Sequence, residues 1–153
     1  MKVFIMNFLN KLPLANTANK QTTIRNSISF SGIGIHSGKA VNLTLLPSNV
    51  DTGIIFRRVD LEKNNEIEVT FNNIVRSKFC SKIINQNNVS VSTLEHIMSA
   101  LKAFSIDNVI IELNAPELPA MDGSAYEFTS KILKRYLLPK KSILPQTIFI
   151  FIS

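Results

Sequence analysis

The sequence predicts an α+β fold, a two-layer α/β half-sandwich with a mostly antiparallel sheet and two helices packed on one face. Three observations carry this. Short runs with period-two alternation, such as Val41–Leu45 and Glu66–Phe71, recur between turn residues. Two later segments switch to helical spacing, with Leu94, Ile97, Met98, Leu101 and Phe104 on one stripe and Phe128, Ile132, Leu133 and Tyr136 on the other. Between them lies Val109-Ile110-Ile111-Glu112-Leu113, rich in β-branched residues and expected to be a largely buried strand.

Taken in order, Thr22 to Phe30 alternates loosely, and Ser31 to Gly38 is turn-rich with its own alternation. Val41 to Leu45 stops at Pro47, which cannot donate to a ladder. Asp51-Thr52-Gly53 is a turn, followed by a strand over Ile54–Val59. Cys80–Ile84 and Val89–Val91 flank an Asn-rich turn and form an expected hairpin. Ala115 to Pro119 is a loop stiffened by two prolines, and Asp122-Gly123 is a turn. Each helix opens on a capping-box pattern, Ser92 with Glu95 and Ser124 with Glu127, in which hydroxyl and carboxylate satisfy orphan amides reciprocally.

At 153 residues the chain is long enough for one domain with a real core. Residues 1–20 read as a disordered extension or a mis-set start, because the apolar stretch over Val3–Leu9 is short and interrupted by Asn7. The domain proper is expected over 21–138. Residues 139–153 dissolve into an apolar run through Thr147–Ile152 that resembles an unfinished strand or a frameshifted tail.

The net charge of +6 suits an anionic partner, yet the basic residues are scattered and no basic stripe is interleaved with aromatics, which argues against nucleic acid. One cysteine excludes an internal disulfide framework and fits a reducing compartment. No apolar run approaches the ~18 residues of a membrane span. A cytoplasmic protein is expected.

The chemistry concentrates at Ser92-Thr93-Leu94-Glu95-His96. A carboxylate beside an imidazole on a first helical turn fits metal chemistry, with the imidazole as ligand and the carboxylate as base. It also fits a helix cap, which is the reading the residues alone favour. Catalytic zinc takes three protein ligands, and this chain offers two histidines, His36 and His96, one cysteine, Cys80, and eleven carboxylates, with no paired-histidine or paired-cysteine spacing among them. His36 between glycines, Cys80 and Asp122 each also have plain readings, as loop residue, small hydrophobe and turn residue.

Four segments together resemble a known family: Gly32–Gly38, Asp51–Asp60, Ser92–Ala100 and Asn114–Ala125. They are similar, in this order, to the N-terminal domain of the UDP-3-O-acyl-N-acetylglucosamine deacetylases of lipid A (lipopolysaccharide) biosynthesis in Gram-negative bacteria. The resemblance implies a zinc-dependent hydrolase removing an N-acetyl group. It makes Glu95 the general base and His96 one zinc ligand. Phe79 and Cys80 would line the site, His36 would lie near the substrate entrance, and Asp122 would support the site. It also implies a fold equivalent to the first of two similar halves. The remaining zinc ligands and an acid or oxyanion partner would come from a second domain. The expectation is therefore a truncated enzyme, inactive alone, whose partners are the UDP-linked acyl sugar and, in a split-protein reading, a separately encoded second half. The rival expectation is a non-catalytic binding module.

Overall fold

A computed structural model describes residues 21–137, so the expectations for 1–20 and for the tail lie outside the described residues. Eight strands and two helices follow in the order β1 (Ile28–Ile33), β2 (Ala40–Pro47), β3 (Ile54–Arg58), β4 (Glu66–Glu68), β5 (Ile74–Val75), β6 (Lys82–Ile84), β7 (Ser90–Ser92), α1 (Glu95–Ala103), β8 (Val109–Leu113) and α2 (Tyr126–Leu137). The α+β expectation holds. Five strands form one sheet in the order β1-β2-β8-β3-β4, and three form a smaller sheet in the order β5-β6-β7. Every pair is antiparallel except β3 with β8, whose connection passes through the small sheet and α1.

Register follows from the alternation. Phe30 stands opposite Leu43, Leu43 opposite Leu113, and Phe56 opposite both Ile111 and Ile67. All six are buried on one face, where they meet Ile97, Ala100 and Leu101 of α1 and Phe128 and Ile132 of α2 in a single core. A one-residue slip of β2 would expose Val41, Leu43 and Leu45 together, so burial pins the pairing. On the opposite face Arg57 lies between Glu66 and Glu112, at 2.7 and 3.0 Å. β8 is accordingly buried at alternate positions, with Ile110 and Glu112 only half-buried.

Several boundaries differ from expectation. β1 begins at Ile28 and runs into the turn-rich segment as far as Ile33, while Thr23 makes only an isolated bridge to Asn108. The strand expected over Glu66–Phe71 ends at Glu68, and Phe71–Asn73 forms a single 3-10 turn. The hairpin is present, but Ile74–Val75 adds a third strand to it. Two residues carry too little periodicity to announce a strand.

Both capping boxes need correction. Leu94 holds the N-cap position of α1 with no side-chain cap bond. Ser92 is committed to β7, where its amide donates to the Pro116 carbonyl at 3.0 Å and its carbonyl accepts from Leu118 at 3.1 Å. The Ser92 hydroxyl donates to the same Pro116 carbonyl at 3.2 Å and the Glu95 carboxylate accepts from the Ser81 amide, so neither half of the box forms. At α2 the Ser124 hydroxyl does accept from the Tyr126 amide at 3.0 Å, but the Ser124 amide donates to Asp122 Oδ1 rather than to Glu127.

Candidate active site

Thr93 sets the geometry. It is buried and adopts φ of 63°, a left-handed conformation that strains a β-branched residue. The reversal turns the chain out of β7 and into α1 within two residues. Glu95 and His96 thereby become the first two helical residues, both half-buried at the N-terminal end, where the helix dipole favours a carboxylate.

The 78–81 segment comes alongside. Ser81 donates its amide to Glu95 Oε2 at 3.0 Å and accepts from the Thr93 amide at 2.9 Å. Phe79 and Cys80 are thus brought next to Glu95 along the chain. Phe79 is 84 % exposed, and Cys80 is half-buried with its sulfur 3.4 Å from the Ser77 hydroxyl. Among the described residues the His96 ring makes no hydrogen bond or ion pair.

Glu117, which the sequence did not single out, links the remaining pieces. It is 2 % exposed. Its Oε1 accepts from the His36 amide at 2.8 Å and from the Thr93 hydroxyl at 3.4 Å, and its Oε2 accepts from the Ser37 amide at 2.9 Å. Burial pushes this carboxyl upward, but the His36 amide, the Ser37 hydroxyl and amide, and the charge of His36 outweigh it and hold it below the ordinary carboxylate value. Gly34 makes room for it: a Cβ there would lie 2.5 Å from Glu117 Oε2. A carboxylate flanked by Pro116, Leu118 and Pro119 in an apolar loop was the one available sequence signal.

Asp122 lies exposed on the same loop, which returns to β1 through the Ala120 amide and the Ile33 carbonyl at 2.9 Å. Gly32 permits this approach, since a Cβ there would sit 2.9 Å from that of Pro119. Asp122 accepts from the Ser124 amide and hydroxyl and so organises the start of α2. The loops bearing His36, Phe79–Cys80, Glu95–His96 and Asp122 therefore form one connected set at one end of the fold. An open polar hollow beside β4, lined by Asn64, Glu66, Asn73 and Asn85 among others, contains none of them.

The residues present do not make a zinc site by themselves. Among the described residues no group of three or more His, Cys, Asp or Glu side chains is placed to hold a metal ion. One imidazole and an adjacent carboxylate fall short of the three ligands that a catalytic zinc requires. What the arrangement does offer is a half-buried carboxylate, an imidazole beside it, and an exposed aromatic on the neighbouring strand connection. No helix among the described residues is long and apolar enough to cross a membrane.

Known proteins resemble this chain over most of its length. The family model of LpxC, UDP-3-O-acyl N-acetylglycosamine deacetylase, matches residues 21–143. A UDP-3-O-acyl-N-acetylglucosamine deacetylase from Francisella tularensis subsp. tularensis is 49 % identical over 118 residues, 76 % of this chain and 41 % of the relative. The enzyme of that name from Hamiltonella defensa is 44 % identical over 126 residues, 80 % and 41 % of the two chains. That from Wigglesworthia glossinidia brevipalpis is 43 % identical over 114 residues, 74 % and 38 %. The chain thus spans about two-fifths of the length of the curated relatives it matches. On the family match across most of its length, the chain belongs to the LpxC family, the UDP-3-O-acyl N-acetylglycosamine deacetylases.

Proposed function

We propose that this chain carries the base-bearing half of a deacetylase site acting on UDP-3-O-acyl-N-acetylglucosamine in lipid A biosynthesis, in the cytoplasm of a Gram-negative-type bacterium. The observation that supports it best is the placement of Glu95 and His96 on the first turn of α1, with the Glu95 carboxylate held by the Ser81 amide. In this reading Glu95 accepts a proton from the water that attacks the N-acetyl carbonyl, and acetate leaves as the amine is freed. His96 is one ligand of a zinc set whose other members lie outside the described residues. Phe79, Cys80 and His36 meet the acyl sugar, and Asp122 keeps the loop before α2 in shape. Residues 21–138 act as one domain that works with a second, supplied by another stretch of chain or by a separate polypeptide.

The test uses the 153-residue chain alone and together with the C-terminal half of the Francisella tularensis relative. Zinc stoichiometry and acetate release are measured in both. No turnover alone, turnover with the added half, and loss of that turnover in Glu95→Ala support the reading. Stoichiometric zinc and turnover by the chain alone, or acetate release unaffected by Glu95→Ala, overturn it.

A further inference from the structure

Glu117 has no role in the chemistry described above, yet it is the most completely buried carboxylate at this end of the fold. It spends that burial on three donors from two different segments. The His36 and Ser37 amides belong to the turn after β1, and the Thr93 hydroxyl belongs to the strained residue that launches α1. An ionised carboxylate that accepts two backbone amides binds them more strongly than a neutral acceptor would. The turn is otherwise self-contained, closed by Gly34 and Lys39 at 2.9 Å and by Gly38 and Gly34 at 2.9 Å, and both His36 and Ser37 are exposed. Among the described residues, Glu117 is the one side chain that hydrogen-bonds both this turn and the segment that opens α1.

We propose that Glu117 is a positioning residue, a clamp that holds the His36 turn against the start of α1 so that His36 keeps a constant placement relative to Glu95 and His96. The importance of this for turnover rests on the deacetylase reading; the clamp itself does not. Two substitutions attack it from opposite sides. Glu117→Gln keeps the shape but turns an NH2 toward one of the two amides. Gly34→Ala leaves the carboxylate intact and pushes the turn off it, since the added Cβ would collide with Glu117 Oε2 and with the Ser37 hydroxyl.

The experiment is residue-resolved amide hydrogen exchange and histidine ring spectroscopy by NMR on the 153-residue chain, which has only two histidines to assign. The clamp requires His36 and Ser37 amides to exchange at least about tenfold faster in either variant, the factor carried by one charged hydrogen bond. Phe30 and Leu43 in the β1–β2 ladder stay unchanged. The His36 ring signals shift and the Thr93 and Glu95 amide signals move with them. The double variant exchanges no faster than the worse single one, because both break the same contact. If Glu117→Gln does not fold, Gly34→Ala decides alone. His36 and Ser37 protection equal to the parent chain overturns the clamp, as does an even loss of protection across β1 and β2. Acetate release is not read, so a failed deacetylase assay leaves the clamp standing, and a failed clamp leaves the deacetylase reading untouched.

Discussion

Ser81 and Glu95 are fourteen residues apart in the chain and joined by a single hydrogen bond, the Ser81 amide donating to Glu95 Oε2 at 3.0 Å. The same Ser81 receives the Thr93 amide through its carbonyl. A backbone unit that grips the chain on both sides of Leu94 leaves the Glu95 carboxylate little freedom of orientation. Its other oxygen remains available to take a proton.

Replacing Glu95 by Gln should therefore separate structure from chemistry. Gln keeps an oxygen for the Ser81 amide, so the denaturation midpoint should move by no more than about 0.5 kcal/mol equivalent. Acetate release by the complemented site should fall by about 10²–10⁴-fold, the usual worth of a positioned base. Parallel urea titration and acetate assay check the pair of outcomes.

Acid stability should depend on Glu117 and Asp60. Burial opposes ionisation of Glu117 but its donors hold it below the ordinary 4.5, and hydrogen bonding to Arg58 holds Asp60 below 3.8 against burial. With the folded value depressed, the unfolded chain binds more protons as the pH drops, so the stabilisation is complete above the ordinary value and is lost as pH falls through the folded one. Urea midpoints from about pH 7 down to about pH 3 should decline for the parent chain, and Glu117→Gln should show a shallower decline over the acid end.

Strain at Thr93 predicts an order of stabilities. A left-handed non-glycine residue costs about 1–2 kcal/mol, more awkward still with a β-branch. Thr93→Gly removes that cost and loses the weak 3.4 Å bond to Glu117, whereas Thr93→Val keeps the cost and loses the bond. Thermal midpoints should rank Gly above Ala and Ala above Val.

Adjacent arginines should behave differently. Arg57 bridges Glu66 and Glu112 on the outer face with its side chain 32 % exposed, so Arg57→Ala should cost about 1 kcal/mol or less. Arg58 is 9 % exposed, pairs with Asp60 through two bonds of 2.8 and 2.6 Å, and donates to the Ser90 carbonyl at 3.1 Å, tying β3 to the small sheet. Arg58→Ala empties a buried position and removes the donor to Asp60 and to the half-buried Ser90 carbonyl, and should cost about 2 kcal/mol. Chemical denaturation of the two variants side by side reads the difference.

The elements with a long apolar period were legible from the residues. Leu94, Ile97 and Leu101 of the α1 stripe, Val41, Leu43 and Leu45 of the β2 alternation, and Val109, Ile111 and Leu113 of the β8 run are buried as expected. Burial of each depends on its own repeating pattern, which chain neighbours carry in full. The capping boxes failed for the opposite reason. Ser92 fits the pattern, but its hydrogen-bonding capacity is claimed by Pro116 and Leu118, more than twenty residues on.

For the candidate site the division runs the same way. Only Glu95 beside His96 stood out by side-chain type, while His36, Phe79, Cys80 and Asp122 became site candidates through the resemblance to the deacetylase family. That Ser81 orients Glu95, and that Glu117 ties the His36 turn to Thr93, was decided only by the tertiary structure. Those bonds join segments 14 to 81 residues apart, and all but the one from the Thr93 hydroxyl use backbone amides, which look alike in every sequence. They acquire a direction only when the packed sheet and helices bring the loops together.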